Sequence, residues 1–224
     1  MSIAAIIVAA GSSRRMGFDK LAAPLGQSSV LAQSVKAFCD CPSVDEVIVV
    51  CSQERFDALL SAPFSRPLRR VDGGASRQES VQRGLDAVAS DTTMVAVHDG
   101  ARPLIRIDVI EQCLAKTQEH GACALARRVT ETLKRADAHD FSCGSVDRSY
   151  LWFMETPQCF ELSLLQRAYA QVRESGCEVT DEVSAVEHIG VGVFLQESKF
   201  PNVKITVPAD LDLACYLLDA AAGA

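Results

Sequence analysis

Short apolar runs rich in valine and isoleucine alternate with longer amphipathic stretches along the first 126 residues. The apolar runs predict strands at 3–9, 47–51, 68–71, 94–98 and 123–126. The amphipathic stretches predict helices at 30–38, 53–60, 78–88 and 109–119. Strands without polar alternation are typical of a parallel sheet covered by helices on both faces. The pattern therefore predicts an α/β fold, and we expect a single domain over 1–224.

The alternation breaks between Arg127 and Asp147, where charged, polar and small residues predict a hairpin or arm at about 129–150. Such an arm can reach a partner subunit. The α/β pattern then resumes with a helix at 162–174, a helix from Thr180 as N-cap to Gly190, and a strand near 193–196. A last helix is predicted to begin at Pro208, since proline suits the first helical position.

The amino-acid composition and the net charge limit the kinds of partner that we expect for the chain. Of 224 residues, 48% are hydrophobic and 23% charged, the balance of a soluble domain with a full core. The net charge is −7 and no basic run occurs, so we expect no nucleic-acid partner and no membrane binding, which both need a basic surface. The apolar segment 3–10 is too short to span a bilayer, and no basic region precedes it.

The number and spacing of the cysteines indicate the cellular compartment of the protein. The nine cysteines are an odd number, scattered along the chain without a Cys-x-x-Cys pair. We therefore predict reduced and mostly buried thiols in a cytoplasmic protein.

A glycine-containing basic loop at 9–20 directly follows the first predicted strand. Arg14, Arg15 and Lys20 with Asp19 give this loop a net charge of +2, from three cations and one anion. Its small residues allow backbone amides to approach phosphate oxygens, and loops after a central strand are where open α/β sheets bind ligands. The loop lacks both the Walker A motif and the Gly-x-Gly-x-x-Gly fingerprint. The pattern favours a triphosphate site and disfavours the kinase and dehydrogenase classes, while the loop taken by itself also fits a solvated turn with exposed arginines.

Two further strand ends carry candidate chemistry. A Gly73-Gly74 turn leads into the helix with Ser80, and its backbone groups with a hydroxyl can read the donors and acceptors of cytosine. After the strand 94–98, Asp99 offers a hard oxygen ligand for Mg²⁺, and Arg102 can grip a phosphate. His98 more often plays a structural role at such a position.

These motifs, taken in order, resemble the 2-C-methyl-D-erythritol 4-phosphate cytidylyltransferases of the non-mevalonate isoprenoid route. The matches run nearly end to end: Ala-Ala-Gly at 9–11, Arg-Arg-Met at 14–16, Lys20, Val-Asp-Gly-Gly at 71–74, Ser80, His-Asp-Gly-Ala-Arg-Pro at 98–103, Val-Thr-Glu-Thr-Leu-Lys at 129–134, Val-Asp-Arg at 146–148, Thr-Pro-Gln at 156–158, Thr-Asp-Glu at 180–182 and Val-Lys-Ile-Thr at 203–206. The resemblance implies a Rossmann-like nucleotidyltransferase fold, CTP with Mg²⁺ or another divalent cation, and a homodimer with an exchanged arm.

The resemblance also implies residue roles. The nucleotide-binding residues are Ala9, Ala10, Gly11, Arg14, Gly74 and Ser80, and the metal ligand is Asp99. Arg15 and Lys20 stabilise the transition state at the α-phosphate. The acceptor side comprises Arg102, Thr180 and Lys204, with Thr132 and Arg148 from the partner's arm, and Lys204 also counts among the catalytic residues.

Three positions depart from the family pattern. The stretch from Met16 to Lys20 is shorter than in some members, which bears on the reach of Lys20. Ala75 stands where an aspartate can occur and removes one polar contact with the base. Gly100 stands where alanine is frequent, a change of little consequence if backbone groups do the binding there.

Three rival functions share the fold. A cytidylyltransferase for ribitol 5-phosphate or another polyol phosphate would keep the nucleotide half, and Thr132, Arg148, Thr180 and Lys204 favour methylerythritol phosphate over it. A sugar-1-phosphate nucleotidyltransferase using UTP or a deoxynucleotide is the second. The third is a non-catalytic nucleotide-binding regulator, which the set of Arg15, Lys20 and Asp99 disfavours because binding alone does not require all three.

Overall fold

The computed structural model describes residues 2–11 and 16–222 as an α/β fold around a seven-stranded sheet. The strands are, in spatial order, β11 (Phe194–Glu197), β7 (Ala122–Arg128), β10 (Trp152–Glu161), β6 (Thr92–Asp99), β1 (Ser2–Val8), β4 (Glu46–Val50) and β5 (Leu68–Val71). All neighbours pair in parallel except β10, which is antiparallel to both β6 and β7. The predicted mostly parallel sheet is confirmed.

The first strand lies inside the sheet, between β4 and β6. The chain proceeds from β1 to β4 and β5 on one side, and then crosses to β6 on the other. The strand order therefore reverses between β1 and β6, and such a reversal opens a ligand crevice at the carboxyl ends of the strands. The loops after β1 and β6 both begin at this crevice.

Helices cover both faces of the sheet. They are α1 (Val30–Cys39), α2 (Gln53–Leu59), α3 (Arg77–Leu85), α4 (Ile107–His120), α5 (Leu162–Ser175), α6 (Glu182–His188) and α7 (Pro208–Ala222). Successive side chains of β1 alternate between the faces, as the period of a strand requires. Ile7 packs in the core shared with α1, α4 and α7, whereas Ile6 packs in the core shared with α3, α5 and α6.

Most predicted elements match the observed ones within two residues at each end, and the differences have physical causes. Helix α3 ends at Leu85 instead of Val88. Helix α6 is capped by Asp181, not Thr180, because the Asp181 carboxylate accepts the Ser184 amide hydrogen at 3.0 Å. Aspartate is the stronger N-cap of the two residue types.

Five strands in the described part of the chain lie outside the sequence prediction or only loosely within it. Strand β10 was missed entirely, and a small hairpin of β2 (Pro24–Leu25) with β3 (Ser28–Ser29) was also missed. In the predicted arm, β8 (Leu133–Ala136) pairs antiparallel with β9 (Ser142–Val146). This confirms a hairpin there.

The hairpin is exposed to solvent over nearly its whole length. Phe141 at its tip is 72% exposed, and Tyr150 at its base is 88% exposed. A two-stranded hairpin without a packed face is marginally stable by itself in water. The exposed aromatic residues therefore mark a surface suited to contact with another molecule.

The cysteines match the prediction of reduced, mostly buried thiols. All nine are free. Six of them are buried: Cys39, Cys41, Cys51, Cys113, Cys123 and Cys159. None of the helices within 2–11 and 16–222 has both the length and the apolar character needed to cross a bilayer.

Candidate active site

A cavity of about 670 Å³ opens at the carboxyl ends of β1, β5 and β6. Eight of the residues predicted for the site line it: Ala9, Ala10, Gly11, Lys20, Gly74, Ser80, Asp99 and Lys204. The reversal of strand order thus brings together residues from four separate segments of the sequence. Arg14 and Arg15 lie outside the described residues.

Four other predicted residues do not line this cavity. Thr132 and Arg148 are exposed and flank the β8–β9 hairpin. Thr180 precedes α6, where its hydroxyl oxygen lies 3.5 Å from that of Ser184. Arg102 is directed into the protein beside the cavity. Their proposed contacts with the acceptor remain predictions.

The loop after β1 packs closely against the glycine turn after β5. A β-carbon added to Gly73 would lie 2.2 Å from the β-carbon of Ala10, so only glycine allows this approach. The Gly73 carbonyl also accepts a hydrogen bond from Arg83 Nη1 at 2.7 Å. These contacts form one wall of the cavity from two loops.

Ser80 shapes the same wall through its hydroxyl. The oxygen accepts the Gly74 amide hydrogen at 3.0 Å, and the hydroxyl donates to the Ser76 carbonyl at 2.8 Å. Ser80 is 2% exposed. Since its hydrogen is already donated within the protein, Ser80 fixes the Gly74 turn.

Asp99, at the end of β6, is surrounded by cations. Arg77 Nε lies 3.2 Å from one carboxylate oxygen, while Lys204 Nζ lies 2.7 Å and Arg102 Nε 3.8 Å from the other. Burial by itself would raise the pKa of Asp99, but the charges of Arg77, Lys204 and Arg102 hold that pKa well below its usual range. Asp99 is therefore ionised at any working pH.

Arg77 is supported from behind by a buried carboxylate. Its two terminal nitrogens donate to the two oxygens of Glu182 at 2.7 and 3.0 Å. Glu182 is fully buried and also accepts a hydrogen bond from the Tyr169 hydroxyl at 3.0 Å. A bidentate pair of this kind fixes the orientation of the guanidinium, and hence of Asp99.

The role of Arg77 was missed in the sequence, although one signal was present. Arginine is the first residue of α3, at the positive end of the helix dipole, where a cation is unfavourable. A cation at such a position points to a compensating anion elsewhere. Asp99 and Glu182 are those anions, and both are distant in sequence.

His98 is buried behind the cavity and has a structural role. Its Nε2 lies 3.1 Å from the Arg102 carbonyl and its Nδ1 lies 2.9 Å from the Thr156 hydroxyl, whose oxygen accepts the Asp99 amide hydrogen. Because a carbonyl only accepts, Nε2 carries the proton and Nδ1 accepts. Burial lowers the pKa of His98 to about 4, so the ring is neutral. This chain of hydrogen bonds helps to hold the Asp99 backbone in place.

Arg102 is likewise held within the protein. Its terminal nitrogens donate to the carbonyls of Asn202 at 2.8 Å and Met154 at 3.3 Å. Its side chain is 11% exposed and completes the positive surroundings of Asp99.

The two lysines of the cavity are brought together by the segment before α7. The Ile205 amide donates to the Ala101 carbonyl at 2.8 Å, which docks the segment on the loop after β6. Lys204 thereby reaches Asp99, and the Ile205 carbonyl accepts a hydrogen bond from Lys20 Nζ at 2.6 Å. Lys20 and Lys204 thus lie on the side of the cavity that contains Asp99.

Comparison with known proteins gives a consistent result. The sequence model of the family described as IspD, 2-C-methyl-D-erythritol 4-phosphate cytidylyltransferase, matches residues 3–220. The enzyme of that name from Symbiobacterium thermophilum is 39% identical over 219 residues, covering 97% of this chain and 93% of that protein. The chloroplastic enzyme from Oryza sativa is 36% identical over 97% of this chain and 75% of that protein.

A solved structure agrees with this match. The crystal structure of 2-C-methyl-D-erythritol 4-phosphate cytidylyltransferase from Thermus thermophilus aligns with a TM-score of 0.81 and 30% sequence identity. The alignment covers 98% of this chain and 100% of that one. The fold and the sequence therefore point to the same family.

Proposed function

The chain belongs to the 2-C-methyl-D-erythritol 4-phosphate cytidylyltransferase family, and we propose how its residues divide the transfer of a cytidylyl group from CTP to 2-C-methyl-D-erythritol 4-phosphate. A phosphate oxygen of the acceptor forms a bond to the α-phosphorus of CTP, and the bond from that phosphorus to the bridging oxygen of pyrophosphate breaks. The observation that carries the proposal is one cavity that joins the Gly74 turn, Lys20 and Asp99 with Lys204.

The reaction needs cations in fixed positions more than it needs a base. A phosphate monoester has a second pKa of about 6, so the acceptor is already ionised at neutral pH. No described residue of the lining is a histidine, and His98 is buried and doubly hydrogen-bonded. The barrier comes mainly from repulsion between anions and from charge that spreads in the transition state. Lys20 is proposed to stabilise that charge at the α-phosphorus.

Lys204 is proposed to bind the phosphate of the acceptor. Its ammonium pairs with Asp99, yet its side chain is 41% exposed. Arg77, by contrast, is anchored by Glu182 and keeps its contact with Asp99. Lys204 is therefore the cation that can turn from Asp99 toward an arriving phosphate.

Asp99 fits the role of a ligand for Mg²⁺ or another divalent cation. It is the only carboxylate in the described part of the lining, and Mg²⁺ is commonly held by one or two carboxylates together with substrate phosphates. When bound, the ion would neutralise charge on the phosphates of CTP and on the pyrophosphate that leaves. The charges of Arg77, Lys204 and Arg102 keep the carboxylate ionised, which a ligand for a divalent cation requires.

The nucleotide half of the cavity is proposed to hold cytidine. Ala9, Ala10 and Gly11 follow β1, and the Gly74 turn held by Ser80 packs beside them. Backbone carbonyls of the turn, which can each accept a second hydrogen bond, and backbone groups of the loop after β1 can match the amino donor and the ring acceptors of cytosine. Arg14 and Arg15 are proposed to meet the triphosphate from the same loop.

The reaction itself is tested by pyrophosphate release from the purified protein. We expect release from CTP with 2-C-methyl-D-erythritol 4-phosphate, and at least about tenfold slower release with UTP or ATP, because a base other than cytosine would leave hydrogen-bonding groups of the base site without matching partners. Ribitol 5-phosphate serves as the control acceptor. Equal turnover with UTP would contradict the proposed recognition of cytosine. Equal turnover with ribitol 5-phosphate would contradict 2-C-methyl-D-erythritol 4-phosphate as the preferred acceptor.

The acceptor half is proposed to be completed by a second copy of the chain. Thr132 and Arg148 flank an exposed hairpin with exposed aromatic residues, and neither lines the cavity of its own chain. An exchanged arm in a homodimer would explain both observations.

The cytoplasmic location also remains a proposal, supported by nine free thiols.

Mixed dimers test the shared site. Arg148→Ala and Lys20→Ala subunits, each inactive by expectation, are mixed after partial unfolding and refolding. If the arm completes the neighbouring site, one site of each mixed dimer carries both native residues, so a statistical mixture should recover about a quarter of wild-type activity. Refolded single variants are the controls. Mixtures that stay inactive while both variants remain folded and dimeric would overturn the exchanged arm.

A further inference from the structure

Arg55, on α2, connects the two ends of the loop that follows β1. Its Nη1 donates to the Ala9 carbonyl at 2.5 Å. Its Nε and Nη2 donate to one carboxylate oxygen of Asp19 at 3.1 and 2.9 Å. One guanidinium therefore holds both the residue where the loop leaves the strand and the residue just before Lys20.

The packing of α2 against the protein does not account for the inward direction of the Arg55 side chain. Helix α2 contributes no fully buried residue to the core. The Arg55 side chain, however, is only 15% exposed. It is thus directed inward from a helix whose core-facing residues Phe56 and Leu59 are only partly buried. Arg55 does not line the described cavity, so its influence on a ligand would be indirect.

Asp19 uses both carboxylate oxygens to fix the chain on either side of Lys20. One oxygen accepts from Arg55, and the other accepts the Leu21 amide hydrogen at 3.1 Å. Leu21 is buried, and its carbonyl accepts a hydrogen bond from the Leu31 amide at 3.1 Å. Lys20 therefore extends into the cavity from between two anchored residues.

We propose that Arg55 and Asp19 form a brace that positions Lys20 at the reacting phosphorus, which makes Arg55 a positioning residue for cytidylyl transfer. The inference rests on the proposed role of Lys20. A flexible lysine can bind a phosphate from many positions, but stabilising one transition state requires its ammonium at one place. The planar fork of arginine suits the brace because it reaches a carbonyl and a carboxylate at once.

The test compares Arg55→Ala, Lys20→Ala and the double variant by steady-state kinetics. We expect Arg55→Ala to lower kcat by about 10- to 100-fold, since a misplacement near 1 Å can cost up to about 100-fold in rate. The KM for CTP should change less than about threefold. In the Lys20→Ala background, Arg55→Ala should lower kcat by less than about threefold further, because the brace then has no lysine to position.

Three variants separate positioning from a loss of folding. Arg69→Ala is the matched control, because Arg69 also joins a carboxylate, Glu46, to a backbone carbonyl, that of Ala87, and does not line the cavity. It should retain wild-type kcat. Arg55→Lys should recover part of the loss, since an ammonium can still pair with Asp19. Asp19→Asn should reproduce the kcat defect if Arg55→Ala does not fold.

Three results would overturn the brace. If Lys20→Ala is impaired while Arg55→Ala and Asp19→Asn keep wild-type kcat, Lys20 needs no brace and only this inference fails. If the Arg55→Ala defect persists in full in the Lys20→Ala background, Arg55 acts by another route. If Lys20→Ala itself keeps wild-type kcat, the proposed role of Lys20 fails first, and the brace fails with it.

Discussion

Lys20→Ala is expected to lower kcat by about 100- to 1,000-fold while the KM for CTP changes less than about threefold. Charge at the α-phosphorus grows only as the acceptor oxygen arrives, so an ammonium placed there strengthens its interaction in the transition state. Binding of the ground state has other contributors, including backbone amides of the loop after β1. The loss should therefore appear in turnover.

Two further variants test the role of Lys20 more specifically. Lys20→Arg should not restore full activity, because a planar fork does not occupy the position of a point charge without moving the loop. Lys36→Ala is the matched control, since Lys36 is 63% exposed on α1 and pairs only with the nearby Asp40 among the described ion pairs. Unchanged turnover of Lys20→Ala, or a loss confined to the KM for CTP, would show that the lysine only binds nucleotide or has no role.

Asp99→Asn is expected to reduce kcat/KM by about 1,000-fold or more, the larger of the two effects, because two functions depend on the same carboxylate. Asparagine keeps the shape but removes the charge that pairs with Arg77, Arg102 and Lys204. It also weakens the proposed ligand for the divalent cation. We expect the Mg²⁺ concentration for half-maximal rate to rise, together with a lower melting temperature, since buried arginine would lose part of its compensation.

Asp108→Asn provides the comparison for this variant. Asp108 is an exposed aspartate that pairs with Arg106 at the start of α4. Its replacement should leave kinetics and the Mg²⁺ requirement unchanged. If Asp99→Asn retained kcat/KM within threefold of the wild type with the same Mg²⁺ requirement, Asp99 would be a structural residue and not the metal ligand.

Strand β10 shows why part of the fold could not be predicted from the sequence. The strand contains Pro157, which usually argues against a strand, and it buries the polar residues Glu155, Thr156 and Gln158. Its register with β7 shifts between Met154 and Gln158, around the proline. The apolar pattern that marks the other strands is therefore missing, and only pairing with β6 and β7 makes the segment a strand.

The sequence by itself determined the parallel strands and the helices between them. It also determined the strand ends and following loops that carry Lys20, Gly74 and Asp99. These features follow from short-range periodicity and from motifs a few residues long. Only the tertiary structure decided what those residues contact. Arg77 meets Glu182 across 105 residues, and Lys20 meets the Ile205 carbonyl across 185. Such pairs leave no local pattern, because the folding of the sheet and its helices is what brings them within hydrogen-bonding distance.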